Sequence, residues 1–383
     1  MKKVSPSDFY KALKDEGVTY YTGVPDSLLK EFCAFIADNT CEQNHIISAN
    51  EGQSIALATG YYLAQKKIPL VYMQNSGLGN AVNPLMSLAH SQVYSIPMLI
   101  LIGWRGEPSV KDEPQHMIMG SCMLDMINSM KFNSIILSKD EFQTEIKKGY
   151  NLALQNQEPV FLVITKDYFQ QYEVINKNRI QLNKYELNRE QALEVILQNI
   201  HEGIFVGTTG FLSRELCELR EKLGQNSNMD FFTVGSMGYA SSIALGIALN
   251  SQNKNVYCFD GDGAAIMHMG SMCIIGQSKA NNLVHFIFNN ECHDSVGQQP
   301  TCANEISFPQ IAKGAGYEEV YQVQGKTELI NVINLIQIKQ KKYTKPVLIE
   351  IKINPGARPN LGRPKQSTIQ NKNELMNYIQ IQQ

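Results

Sequence analysis

The chain has 383 residues, 43% of them hydrophobic and 18% charged, with a formal net charge of -2. That length allows two α/β domains with full cores. So even a charge balance points to neither disorder nor a polyanion-binding surface, and no nucleic-acid partner is expected.

The opening MKKVSPSDFYKALKDEG is charged and amphipathic, unlike a signal peptide, and no apolar run approaches the roughly 18 residues of a membrane helix. No membrane partner and a cytoplasmic location are expected. The eight cysteines form no CxxC pair and are expected to be reduced structural thiols.

Helix and strand patterns then alternate along the chain. Helices are expected near 5–16, 27–38, 52–66, 78–90 and 140–155, with one more before a strand near 134–137. The strands between them fall at 18–22, 45–49, 69–73, 96–102 and 159–164. This alternation predicts a doubly wound parallel sheet for residues 1–170. Residues 171–188, QYEVINKNRIQLNKYELN, are polar, lack a period and read as a linker. A second α/β domain over 189–383 begins with helix 189–200, strand 202–206 and helix 212–222. Helix 238–250, strand 255–260, helix 265–278 and strands 283–288 and 346–353 follow.

The stretch VYCFDGDGAAIMHMGSMCIIGQSKANNLVHFIFNN reads as one parallel βαβ unit. Both strands would open on the same sheet edge, where doubly wound folds bind ligands. That brings Asp262 opposite Asn290. A carboxylate, an amide oxygen and the backbone carbonyl of Cys292 suit a hard cation such as Mg²⁺, which keeps its remaining positions for phosphate oxygens and water. Gly261 and Gly263, with Ala264 beyond them, let backbone approach those phosphates. The loop Gly207-Thr208-Thr209-Gly210 lies between a strand and a helix, so its N–H groups and hydroxyls also suit an anion.

GDG, about 25 residues and then NN resembles the cofactor motif of thiamine diphosphate enzymes. The segments GVPDSLLK, MQNSGLGNAVNP, GWRGEPSVKDEPQH, NNECHDSVGQQPT and PNLGRP resemble the phosphonopyruvate decarboxylase branch of that family over nearly the whole chain, with sulfopyruvate decarboxylases as kin. The resemblance implies one domain for the cofactor's aminopyrimidine and one for its diphosphate, with thiamine diphosphate and Mg²⁺ as cofactors. A linker of about 20 residues leaves no room for the middle domain of larger relatives. The implied reaction is non-oxidative decarboxylation of 3-phosphonopyruvate, a small anionic 2-oxo acid, to phosphonoacetaldehyde in phosphonate (2-aminoethylphosphonate) biosynthesis. The family also implies a homo-oligomer with active sites between subunits.

Taken alone, Glu51 is a first-turn acid that favours the helix dipole. By resemblance it is the glutamate that hydrogen-bonds N1′ of the cofactor. The Gly235 carbonyl would accept from the 4′-amino group, Met237 would prop the cofactor's bent shape, and Ser236 lies between them. The loop carrying Asn75 and Ser76 would lie near bound substrate. Arg105, Lys111, His116, Arg358 and Arg363 are candidates to compensate the substrate's anionic groups. Asp26 reads equally as a helix cap and as a proton-transfer residue. His293 and Asp294 read as substrate-side groups or as a solvated loop pair. The sequence departs from the family at Cys292, where many relatives have glycine.

Other classes fit less well. GLGNAV is only the first half of a dinucleotide-binding GxGxxG, and no suitably placed acid follows it, which argues against a nicotinamide-dependent dehydrogenase. A carboligase of the acetolactate-synthase type would carry the middle domain.

Overall fold

The structure is a computed structural model that describes residues 2–175, 184–339 and 342–381. It divides into two compact units, residues 1–177 and 178–383. The expected linker, 171–188, falls partly outside the described residues.

In the first unit β1 (Tyr21–Gly23), β2 (His45–Ile47), β3 (Leu70–Gln74), β4 (Met98–Gly103), β5 (Asn133–Ile136) and β6 (Pro159–Ile164) form one sheet in the order β2-β1-β3-β4-β6-β5. Every pairing is parallel. Helices cover both faces, so β4 and β6 are buried along their whole length, which is why they read as continuous apolar runs and not as alternating ones. Leu99 and Leu101 enter one core with Phe9, Phe32 and Tyr72. Ile100 and Ile102 enter the other with Ile55, Leu78 and Met123. Chain order reverses between β1 and β3, a switch point at which the carboxyl ends diverge and leave a crevice.

The second unit repeats the plan. β7 (Ile204–Gly207), β8 (Asp230–Phe232), β9 (Val256–Gly261) and β10 (Leu283–Asn289) are joined by a two-stranded hairpin, β11 (Cys292–His293) with β12 (Gln299–Pro300), and by β13 (Glu319–Val323) and β14 (Val347–Lys352). The main sheet runs β13-β14-β10-β9-β7-β8 and is again wholly parallel. Its switch point lies between β7 and β9.

The two parallel strands expected around Gly261-Asp262-Gly263 pair as foreseen, but the helix between them is interrupted. It runs Asp262–Met267, breaks at His268 (φ -129°, ψ 46°) and resumes at Gly270–Gln277. The His268 ring lies against Tyr239 with centroids 4.3 Å apart. The helix expected at 78–90 likewise becomes Leu78–Pro84 followed by a π-turn, Leu85–Ala89.

Several elements were not foreseen: edge strands β8 and β13, the hairpin, and the helices Phe308–Ala315, Lys326–Lys339 and Thr368–Ile381. The last of these covers β8. Its buried Asn371 accepts from the Phe232 N–H at 3.0 Å and donates to the Asp230 carbonyl at 2.8 Å. All eight cysteines are free. No helix among the described residues is long and apolar enough to cross a membrane.

Candidate active site

In the first unit the polar residues gather where β1, β2, β3 and β4 end. Glu51 opens the helix Glu51–Gln65, whose N-cap is Asn50, with its side chain accepting from the Gln53 N–H. Glu51 is 5% exposed, and Oε2 accepts from Asn80 Nδ2 at 2.8 Å. A Cβ on Gly77 would fall 2.1 Å from Glu51 Oε1. Glycine is therefore what gives the carboxylate its place.

Asp26, just past β1, is fully buried. It accepts from Gln74 Nε2 at 2.6 Å and from the Leu28 N–H at 3.0 Å. The Leu28 bond is a local turn bond, and the following helix, Lys30–Asn39, has Leu29 as its N-cap with no side-chain cap, so the expected capping role of Asp26 is not what the structure has. Burial pushes the carboxyl up, against the opposing pull of those donors and of Arg105. A proton can thus be held here at a pH where an exposed carboxylic acid would have lost it. Ser76 donates to Gln74 Oε1 at 2.6 Å, extending the chain to Ser76, Gln74 and Asp26.

Asn75 ties the β3 loop to the β4 loop. Its Nδ2 donates to the Arg105 carbonyl at 2.7 Å, and its Oδ1 accepts from the Arg105 N–H at 3.1 Å. The Arg105 guanidinium grips Asp112 with two nitrogens, at 2.7 and 2.5 Å, and reaches Ser27 Oγ at 2.8 Å. His116 is buried in the first turn of the helix Pro114–Ser129. Burial lowers it to about 4, with Arg105 pushing the same way and Asp112 opposing. Lys111 is exposed on the same loop.

In the second unit Gly207, Thr208 and Thr209 leave β7, and Thr209 donates to the Val234 carbonyl at 2.8 Å, joining the loops after β7 and β8. Gly210 has φ +95°, the left-handed region that favours glycine. In Gly235-Ser236-Met237, Ser236 also has a positive φ, 51°, unusual for a residue with a side chain. Met237 is half-buried.

Asp262 is buried and accepts from Thr301 Oγ1 at 2.5 Å. Burial pushes its carboxyl up to about 7, and the nearby charge of Asp294 adds to the effect. Asn290 donates to Asp294 Oδ2 at 2.8 Å. The Cys292 thiol is also pushed up, by burial and by Asp294 and Asp262, so it stays protonated near pH 7. His293 packs its ring on Gly263, where a Cβ would come 2.6 Å from Cε1. Burial lowers this imidazole to about 4, so it is neutral near pH 7.

Asp294 does not belong to a solvated loop pair. Its carboxylate is 5% exposed and ion-paired with Arg189 at 2.8 Å. Arg189 also holds Glu215 at 2.7 Å. Asp294 and Glu215 thus share one guanidinium, so that trio is left net negative beside the buried Asp262. A divalent cation beside Asp262 would compensate it, so the donor set fits Mg²⁺.

Arg358, one of the candidate substrate residues, is held by Glu190 and Glu218, and the segment it lies on is fastened by Arg214 to the carbonyls of Leu361 and Gly362. Arg363 follows on the same segment. Sequence reasoning assigned no role to Asn80, Arg189 and Thr301, which act through partners distant in the chain, or to Asp112, whose partner Arg105 lies in the same loop.

A separate buried group, Cys258, Asp260 and His285, has its ligand atoms within 4.8 Å of one another. It lies inside the sheet layer. With three donors it is one short of a tetrahedral structural zinc site, and His285 instead faces Asp260 at 3.5 Å and Tyr317 at 3.1 Å.

The family described as thiamine pyrophosphate enzyme, N-terminal TPP binding domain, matches residues 7–128, and the corresponding C-terminal TPP binding domain matches residues 208–351. A phosphonopyruvate decarboxylase of Streptomyces viridochromogenes is 31% identical over 94% of this chain and 91% of that protein. The chain belongs to the thiamine pyrophosphate-dependent decarboxylases. A phosphonopyruvate decarboxylase of Streptomyces hygroscopicus is 30% identical over 94% of this chain and 90% of its own length. A sulfopyruvate decarboxylase of Methanosarcina acetivorans is 25% identical over 93% of each. As a member of this group the chain is a carboxy-lyase built from two such domains, and no third family domain matches between them.

Proposed function

We propose that this decarboxylase converts 3-phosphonopyruvate to phosphonoacetaldehyde and CO₂, using thiamine diphosphate and Mg²⁺, as a step of phosphonate biosynthesis. The similarity to phosphonopyruvate decarboxylases along almost the whole chain carries this reading. The bound cofactor supplies the carbon nucleophile and the electron sink that decarboxylation of a 2-oxo acid requires.

The chain's own residues divide the remaining work. Glu51, seated by Gly77 and Asn80, holds a proton against N1′ of the aminopyrimidine. Gly207, Thr208, Thr209, Gly261, Gly263 and Ala264 receive the diphosphate, while Asp262, Asn290 and the Cys292 carbonyl hold Mg²⁺. Gly235, Ser236 and Met237 support the pyrimidine end. Asp26 and neutral His293 handle the proton delivered to the product carbon. Asn75, Ser76, Arg105, Lys111 and His116 face the substrate, while Arg358, through Glu190 and Glu218, fastens the segment after β14 on which Arg363, a further candidate for the substrate's anionic groups, also lies. As in the family resemblance, the complete site joins Glu51 of one subunit to Asp262 of another in a cytoplasmic homo-oligomer.

The test is turnover of 3-phosphonopyruvate and 3-sulfopyruvate by the same preparation, with CO₂ and aldehyde both quantified. Equimolar CO₂ and phosphonoacetaldehyde, dependent on added thiamine diphosphate, are expected. Faster turnover of the sulfonate would reassign the substrate, and cofactor-independent CO₂ release would refute the reaction.

A further inference from the structure

Asn290 differs from the other expected metal ligands because an amide can present either oxygen or nitrogen. Its orientation is determined by its neighbour. Asn290 Nδ2 lies 2.8 Å from Asp294 Oδ2. An ionised carboxylate can only accept, so the amide nitrogen must face it and Oδ1 must point away. The Cys292 N–H, which can only donate, meets Oδ1 at 3.3 Å and requires the same orientation.

Asp294 is itself held from outside the metal loop. Arg189, in the first turn of the helix Arg189–Asn199 behind an Asn188–Gln191 capping box, donates Nη1 to Asp294 Oδ2 at 2.8 Å. Its other nitrogens reach Glu215 at 2.7 and 2.9 Å. The Gly356 N–H donates to both Asp294 oxygens at 3.0 Å, and the Gly356 carbonyl accepts from Arg189 Nη2 at 3.3 Å. Arg189, Asp294 and the Gly356 peptide therefore form a closed ring, each touching the other two. Gly356 has φ +109°, which a residue with a side chain rarely adopts.

We propose that Asp294, fixed by Arg189 and Gly356, is a positioning residue that locks the Asn290 amide with its oxygen toward a divalent cation. This rests on the reading that Asp262 and Asn290 hold such a cation. Groups behind the ligands commonly set affinity in this way, and removing one costs about 10- to 100-fold in metal binding. Asp294→Asn supplies a donor where only acceptors stood and lets the Asn290 amide turn over. Exchanging the pair, Asn290→Asp with Asp294→Asn, puts at 290 a carboxylate that presents oxygen either way round.

The experiment is calorimetric titration of Mg²⁺ into the full chain saturated with thiamine diphosphate, with the melting temperature of each cofactor-free variant as a folding control. Asp294→Asn should weaken Mg²⁺ binding about 10- to 100-fold, and the exchanged pair should return it to within a few-fold of the parent. If Asp294→Asn does not fold, Asp294→Glu keeps the charge opposite Arg189 but shifts the acceptor by one methylene, and should weaken binding in the same direction. Unchanged affinity in Asp294→Asn, or in Asp294→Glu where that variant stands in for it, overturns the proposal, as does an exchanged pair as weak as the single variant. A parent chain that takes up no Mg²⁺ overturns the cation site itself, an outcome distinct from both.

Discussion

Gly77 and Glu51 show how much of a site depends on one missing side chain. A methyl carbon at 77 would fall 2.1 Å from Glu51 Oε1, so Gly77→Ala should displace the carboxylate while leaving its chemistry intact. Glu51→Gln does the converse, keeping the shape and losing the proton acceptor. Both variants should bind cofactor and fold, and both should lose about 10² to 10⁴ in decarboxylation rate. Hydrogen–deuterium exchange at C2 of the bound cofactor checks this, and undiminished exchange in Glu51→Gln would remove Glu51 from its assigned role. Of this pair, only Glu51 was legible in the sequence, through its family resemblance. Gly77 was visible as one glycine in GLGN, but its duty depends on a residue 26 positions earlier. Arg189 and Thr301 were silent for the same reason: an ion pair with Asp294 and a hydroxyl donated to Asp262 leave no local pattern.

At the scale of elements, continuous apolar runs betrayed β4, β6, β9 and β10 because both faces of those strands are buried. β8 and β13 went unread because they lie at sheet edges, where polar residues are tolerated and length is short. The interrupted helix after Asp262 went unread because its sequence keeps a helical composition through the break at His268. The helix Pro114–Ser129 also carries a pH response. His116 titrates at about 4 in the fold against 6.5 for an unperturbed imidazole, so the unfolded chain takes up its proton first. The stability it contributes is complete above about pH 6.5 and declines as pH falls towards about 4. His116→Gln should therefore flatten the pH dependence of urea unfolding across that interval, with little change above it. An unaltered slope would show that His116 is protonated as readily in the fold as in the unfolded chain.

For the whole molecule, the proposal that a working site joins two chains has a direct consequence. Chains carrying Glu51→Gln and chains carrying Asp262→Ala should each be inactive, yet mixing them under subunit exchange should restore part of the activity, since some sites combine the two unmutated halves. Continued inactivity after exchange has been demonstrated by mass spectrometry would rule out a shared site.

The Asn371 side chain, bonded to the Phe232 N–H and the Asp230 carbonyl, imitates one residue of a neighbouring strand along the outer margin of β8. Left bare, such a margin is a template on which a second molecule can add its own strand. Asn371→Ala would leave two buried backbone groups unsatisfied, at about 1–3 kcal/mol each, and loosen the helix that shields them. Light scattering during mild heating should then show association setting in at lower temperature than for the parent, before loss of far-ultraviolet dichroism. The helix Thr368–Ile381 would thereby guard that margin of the sheet against strand addition by another molecule.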